Sequence, residues 1–298
     1  MATRRTILHA SVAAAALVPV SGTANAVGGD SIESFLTAFL RDKTNRDLDR
    51  TMSYFSRSST TYIDAALGWA NLSWQQLHDA FAQAMPGWPT GARSYPTKIV
   101  GHGQSAVVFM TDTAGMFGPG EIRALGAVNV LDGKIVRWVD YFNGRNFGTA
   151  DFEKMKLPEE QFPADFREST AGEASPLAQR VANGLAGALR AKDVPAAAEF
   201  FAEDAVFEDL PTHVQVVGHR SVVRFLSKAN LPYIGQGTRV RHVLNGGYEW
   251  TAEGPVRRGI AALELDRQGL VTRFTAQWDG SRISRDALIT LVGAAVEE

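Results

Sequence analysis

Gly133-Lys-Ile-Val-Arg-Trp-Val-Asp-Tyr-Phe-Asn-Gly144 has a second version in the same chain, Gly269-Leu-Val-Thr-Arg-Phe-Thr-Ala-Gln-Trp-Asp-Gly280. Both run through a glycine, apolar residues, an arginine and an aromatic, then reach an aromatic ahead of Asn/Asp-Gly. Aligned position by position, Asp140-Tyr141 of the first stretch meets Ala276-Gln277 of the second. One half of the chain therefore keeps a carboxylate at this position and the other has lost it.

The repeat extends upstream. A segment from Asn45 to Phe55 precedes Tyr62-Ile63-Asp64, and a similar one from Ala191 to Phe201 precedes Phe207-Glu208-Asp209. Each copy is long enough to bury its own core. The chain has 298 residues, which agrees with two domains. The expected division is residues 31–150 for the first domain, 151–175 for a linker rich in Pro, Glu, Asp and Ser, and 176–292 for the second domain with a degenerate site.

Each half begins with apolar residues at helical spacing. These are Ile32, Phe35, Leu36, Phe39 and Leu40 in the first copy, and Leu177, Val181, Leu185 and Leu189 in the second. Strand-like segments follow in which apolar residues alternate or run continuously. Helices first and strands last predict an α+β fold, helices packed on one face of a curved antiparallel sheet.

Composition narrows the function. The net charge is −2, and no basic block exceeds a pair of arginines, so nucleic acid is not expected as a partner. The absence of cysteine excludes disulfides and thiol chemistry. The six histidines show no ligand spacing, and no metal or other cofactor is expected. Residues 1–26 read as a signal peptide: Arg4-Arg5, an uncharged alanine-rich stretch, then Ala24-Asn25-Ala26. The arginine pair resembles a twin-arginine export signal, implying a periplasmic or extracellular protein with no membrane segment once mature.

The helix-then-sheet order, Tyr62-x-Asp64 on the first strand, and Gly-Lys-Ile-x-x-Trp-x-Asp-Tyr-Phe on the last resemble the nuclear-transport-factor-2-like (NTF2-like) superfamily. The pattern is similar to limonene epoxide hydrolases and SnoaL-like polyketide cyclases, in two tandem copies. The resemblance implies two cone-shaped domains, each enclosing an apolar cavity between helices and sheet. It also implies cofactor-independent acid–base chemistry on a small apolar, polyketide- or terpenoid-like molecule, by epoxide opening, cyclisation or hydration. A ketosteroid-isomerase-like proton shuttle is an alternative, as is a non-catalytic exported protein that binds a small ligand or assembles as a homodimer or through its paired sheets.

Three acids carry the expectation. Asp140 shares a strand face with Trp138, because side chains alternate with period two. In an apolar cavity its pKa should rise toward that of a useful base; the resemblance makes it the catalytic base, and otherwise it is a rim aspartate beside Arg137. Asp64 shares a face with Tyr62 and is either an acid–base residue or a turn residue. Asp112 stands where the epoxide hydrolases have the aspartate of Arg-x-Asp, but Met110 stands in place of the arginine, so Arg123 is the candidate cation. Tyr62, Trp69, Trp88, Phe117, Arg123 and Trp138 are candidate substrate contacts. In the second domain, Asp209 and Glu249 form a candidate second pair.

Overall fold

The computed structural model describes residues 31–296. The expected export signal lies outside the described residues. Ser31 starts helix α1 (Ile32–Thr44) by accepting the Ser34 amide, which satisfies one of the amides a helix N-terminus leaves free. Its buried stripe begins with Leu36, Phe39 and Leu40 and then continues into Asp42 and Lys43. A charge on a buried stripe needs a partner, and Lys43 finds one at the functional site.

The first domain continues with α2 (Leu48–Ser53), β1 (Thr61–Asp64), β2 (Trp69–Asn71), α3 (Trp74–Ala84), β3 (Ser94–His102), β4 (Ser105–Asp112), β5 (Ile122–Leu131) and β6 (Lys134–Phe142). The second comprises α5 (Pro176–Ala191), α6 (Val194–Ala198), β7 (Phe201–Asp209), β8 (Val214–Val217), α7 (His219–Lys228), β9 (Arg239–Leu244), β10 (Gly247–Thr251), β11 (Arg258–Leu265) and β12 (Val271–Trp278). Between them lies α4 (Thr149–Met155), and α8 (Arg285–Gly293) ends the fold.

Each domain is α+β with one six-stranded sheet. The orders are β2-β1-β6-β5-β4-β3 and β8-β7-β12-β11-β10-β9, the same order twice. Both sheets are mixed. β1 runs parallel to β6 and β7 parallel to β12, while the remaining pairs are antiparallel. The register places Asp64 beside Asp140 and Asp209 beside Ala276, so sheet geometry reproduces the sequence alignment of the two copies.

Strand β6 serves two faces. Trp138, Asp140 and Phe142 point toward the first domain's helices. Val139 and Tyr141 point outward into a shared cluster with Ile63, Leu125 and, from the second domain, Ile260. The outer faces of the two sheets thus pack on one another. At the centre of that contact Arg137 Nη1 lies 2.6 Å from Glu249 Oε2, with both side chains fully buried. The guanidinium N–H is poorly aimed for a hydrogen bond, so the contact is mainly charge pairing. Tyr141 donates its hydroxyl to Glu249 Oε1 at 2.7 Å, and Arg137 Nε donates to the Phe166 carbonyl at 2.8 Å. Near the end of the contact the two repeated motifs meet: Asp279 accepts the Gly144 amide, and Arg145 donates to the Gly280 carbonyl.

The segment 151–175 is tied down along its length. Phe152 and Phe166 are fully buried and Phe162 nearly so. Arg241 stacks on Phe166 and Arg258 on Phe162, and the same two arginines pair with Glu168 and Glu159. These anchors follow no helical or strand period, which is why the segment reads as linker. No helix among the described residues is long and apolar enough to cross a membrane.

Candidate active site

Asp140 sits on the inner face of β6 and is only 8% exposed. Both of its oxygens are held: Tyr62 donates its hydroxyl to Oδ2 at 2.7 Å, and Trp138 donates its indole N–H to Oδ1 at 2.5 Å. Tyr62 and Trp138 are register neighbours across β1 and β6, and their rings stack within 8° of parallel. Burial pushes the Asp140 carboxyl up to about 6, against the nearby Lys43 charge and the two hydrogen bonds, all of which favour the ionised form.

Asp64 ends β1 one strand away. Its Oδ1 accepts the amides of Ala66 and Leu67 at 3.0 and 2.8 Å, while Oδ2 has no hydrogen-bond partner among the described residues. Protein surrounds the group, and its partial exposure comes from the cavity it faces. Burial, reinforced by the Asp140 charge, outweighs the two amides and pushes Asp64 up to about 8. At pH 7 one acid of this pair is therefore mostly ionised and its neighbour mostly protonated.

Asp112, at the end of β4, is buried and meets Lys43 Nζ at 3.4 Å. Lys43 is 1% exposed and also lies 4.9 Å above the Phe117 ring. The cation of this site thus comes from helix α1. Arg123 does not supply it. Ile122 and Ala124 line the cavity, so alternation turns Arg123 outward, where it is largely exposed and pairs with Glu121.

Asp64, Asp112, Asp140 and Tyr62 face one cavity of about 220 Å³. Its other walls include Leu77, Phe81, Met110, Ile122, Phe142 and Phe147, with Trp69 and Phe117 at more exposed positions. Trp69 is fixed by donating its indole N–H to the Met155 carbonyl. Two expected substrate contacts are placed elsewhere. Trp138 is fully buried behind Tyr62 and holds Asp140 rather than lining the cavity, because its large ring fills the core under β6. Trp88 is buried edge-on against Phe117 and does not line the cavity. A notch between the domains beside Lys156, Arg258 and Arg282 encloses only about 20 Å³, room for about one water. Among the described residues no group of three or more His, Asp or Glu is arranged to hold a metal ion.

The second domain builds the same frame with different residues at these positions. Phe207 and Phe274 stack, at 4.6 Å and 5°, where the first domain has Tyr62 and Trp138. Ala276 replaces Asp140. Asp209 is fully buried and saturated: it accepts from the Thr212 hydroxyl and amide, from the Tyr233 hydroxyl and from the Trp278 indole. The expected pairing of Asp209 with Glu249 does not occur. Tyr248 and Trp250 take the inner face of β10, so Glu249 between them points outward to Arg137. Gly259 lies opposite Trp250 in the register, and a Cβ there would fall 2.3 Å from the indole ring.

No protein-family model and no curated protein matches the sequence. Solved structures similar to parts of the chain include NTF2-like, SnoaL-like cyclase, ketosteroid-isomerase-like and epoxide-hydrolase-like proteins. An NTF2-like protein of unknown function from Cytophaga hutchinsonii is 12% identical with a TM-score of 0.32, over 38% of this chain and 90% of its own. A protein named for the SnoaL-like polyketide cyclases, from Shewanella putrefaciens, is 15% identical with a TM-score of 0.35, over 49% of this chain and 100% of its own. An LEH-like epoxide hydrolase from M. tuberculosis is 22% identical with a TM-score of 0.33, over 41% of this chain and 86% of its own.

Proposed function

We propose that the first domain is a cofactor-independent acid–base catalyst acting on a small apolar molecule, opening an epoxide or closing or hydrating a ring. The observation that carries this reading is the pair Asp64 and Asp140, neighbours on adjacent strands, facing one apolar cavity, with carboxyls displaced to about 8 and about 6. Pairs of titratable groups whose environments separate their pKa values divide the roles of acid and base. Asp140, ionised, takes the proton from an attacking water or hydroxyl. Asp64, protonated, gives its proton to the departing oxygen through Oδ2, the oxygen left free of backbone amides. Tyr62 and Trp138 hold Asp140 in place. The Lys43–Asp112 pair adds a charge couple close to Asp140, Lys43 favouring its ionised form.

The test is turnover of a panel of terpenoid and alkyl epoxides by the full chain, followed by mass spectrometry across pH. Activity should fall below about pH 6, as Asp140 gains a proton, and above about pH 8, as Asp64 loses one. Lys43 favours ionised Asp140, so Lys43→Met should move the acidic limb to higher pH and narrow the active window. A flat profile between pH 5 and 9 would remove the acid–base assignment.

A further inference from the structure

The repeat loses one acid in its second copy and gains another. Ala276 stands for Asp140, but further along Asp279 stands for Asn143. Asp279 follows β12 and is 9% exposed. Its Oδ1 accepts the Ser281 amide and hydroxyl within its own loop, much as Asn143 accepts the Arg145 amide. Two further contacts leave the second domain. Oδ1 also accepts the Gly144 amide at 3.1 Å, and Oδ2 meets Lys156 Nζ at 3.2 Å. An asparagine could make the first of these, but only a carboxylate offsets the buried charge of Lys156. Arg258 and Arg282, also beside this notch, have acids of their own in Glu159 and Glu153.

Lys156 leads to the first cavity. The next residue, Leu157, donates its amide to the Leu67 carbonyl at 2.9 Å. Leu67 belongs to the turn after β1, where its own amide and that of Ala66 hold Asp64 Oδ1. One side of this turn, through Asp64 and Leu67, faces the cavity. The other, through Ala65 and Ala66, faces the notch that Lys156 and Asp279 share. The end of the turn is pressed on the same connecting segment. Gly68 has a φ of +85°, and a Cβ there would collide with the Phe162 ring.

We propose that Asp279 is a positioning residue for the first domain's cavity. Through Lys156 and Leu157 it fixes the turn that holds Asp64, so the cavity is completed from the second domain. Burial and the charges of Asp140 and Asp279 all hold Asp64 toward its protonated form. Removing Asp279 takes away a negative charge and admits water to the turn, and both changes lower the Asp64 midpoint. This assignment rests on the acid role proposed for Asp64, but its readouts need no substrate.

Carboxyl carbon-13 titration and amide hydrogen exchange of the full chain test it. Asp279→Ala should lower the Asp64 midpoint from about 8 by about one unit or more. It should also speed exchange of the Leu67 and Leu157 amides by about tenfold or more, relative to Val107 and Val128 in the middle of the sheet. Asp279→Asn, gentler on the fold, should act in the same direction while the Gly144 amide stays protected. Glu249→Gln is the control, because it weakens the same contact between domains without touching Lys156. It should leave the Asp64 midpoint and the exchange ratio close to those of the unaltered protein. If Asp64 titrates near 4 in the unaltered protein, its acid role falls, and the exchange ratio alone decides whether Asp279 holds the turn. An exchange ratio unchanged by both Asp279 variants would overturn the proposal. So would an Asp64 midpoint that stays near 8 in both, or effects of the same size in Glu249→Gln.

Discussion

Asp140→Asn is expected to reduce turnover by about 10²–10⁴-fold, the usual contribution of a positioned general base, while leaving the fold intact. The sign of the stability effect follows from burial. The folded pKa of Asp140, about 6, lies above the unfolded value of about 3.9, so the folded state binds the proton more tightly. Asp140 therefore contributes most to stability at low pH, and that contribution is lost as pH rises from about 4 through 6. At neutral pH its ionised form costs the protein on the order of 2–3 kcal/mol, and a neutral Asn removes that cost. Loss of one hydrogen bond from Tyr62 or Trp138 offsets part of the gain. Thermal unfolding of Asp140→Asn should occur within about 5 °C of the parent or above it, a shift worth about 1–2 kcal/mol. Inactivity together with a melting temperature lowered by well over about 5 °C would mean that Asp140 is structural.

The second large effect lies in the contact between the sheets. Glu249→Gln removes the charge facing Arg137 but keeps the size of the side chain. The guanidinium is then left fully buried without a counter-charge. Breaking one side of a buried pair costs about 3–5 kcal/mol, and the melting temperature should fall by roughly 10 °C. Replacing both partners, Arg137→Met with Glu249→Leu, should regain most of the loss, because the desolvation penalty of both charges disappears. Burial alone would push the Glu249 carboxyl up, but the Arg137 charge and hydrogen bonding hold it below the usual carboxylate range. Its contribution is thus fully present above the unfolded pKa and is lost only as pH falls through the lower folded value. Scanning calorimetry from pH 3 to 7 checks both points. A double variant no better than Glu249→Gln would show that the pair is needed for more than charge balance.

The parts of this fold that follow short periods were legible in the sequence. The helical stripe of α1 and the alternation of β6 follow spacings of three to four and of two residues, and the tandem repeat shows where Gly133–Gly144 matches Gly269–Gly280. The β6 pattern placed Trp138 and Asp140 on one face, as they are found. The parts set by contacts distant in sequence were not legible. Lys43 reaches Asp112 across 69 residues, although its place on the stripe of Leu36, Phe39 and Leu40 marks it as an unusual buried charge. Arg123, the candidate cation, stands between Ile122 and Ala124, whose inward direction turns it out. Glu249 follows the same rule, because aromatic neighbours on both sides claim the inner face. No local pattern connects Arg137 to Glu249, since the pairing depends on how two separate sheets meet.

One strand links these results. β6 carries the carboxylate of the first cavity on one face and the central contact between domains on the other. A loss of polar groups in the second domain is compatible with this arrangement. Phe207, Phe274 and Ala276 replace Tyr62, Trp138 and Asp140 in register on the inner face, while the outer face of the same sheet supports the first domain through Glu249.

The central claim is that Asp64 and Asp140 hold one acid and one base ready at neutral pH, and it can be measured without a substrate. Carbon-13 NMR titration of aspartate side-chain carboxyls, assigned through Asp64→Asn and Asp140→Asn, reads both groups directly. Apparent midpoints near 6 for Asp140 and near 8 for Asp64 are expected, with the Asp64 midpoint falling when Asp140 is neutralised, because their charges repel one another. Midpoints near 4 for both carboxyls, each unmoved by substitution of the other, would contradict it.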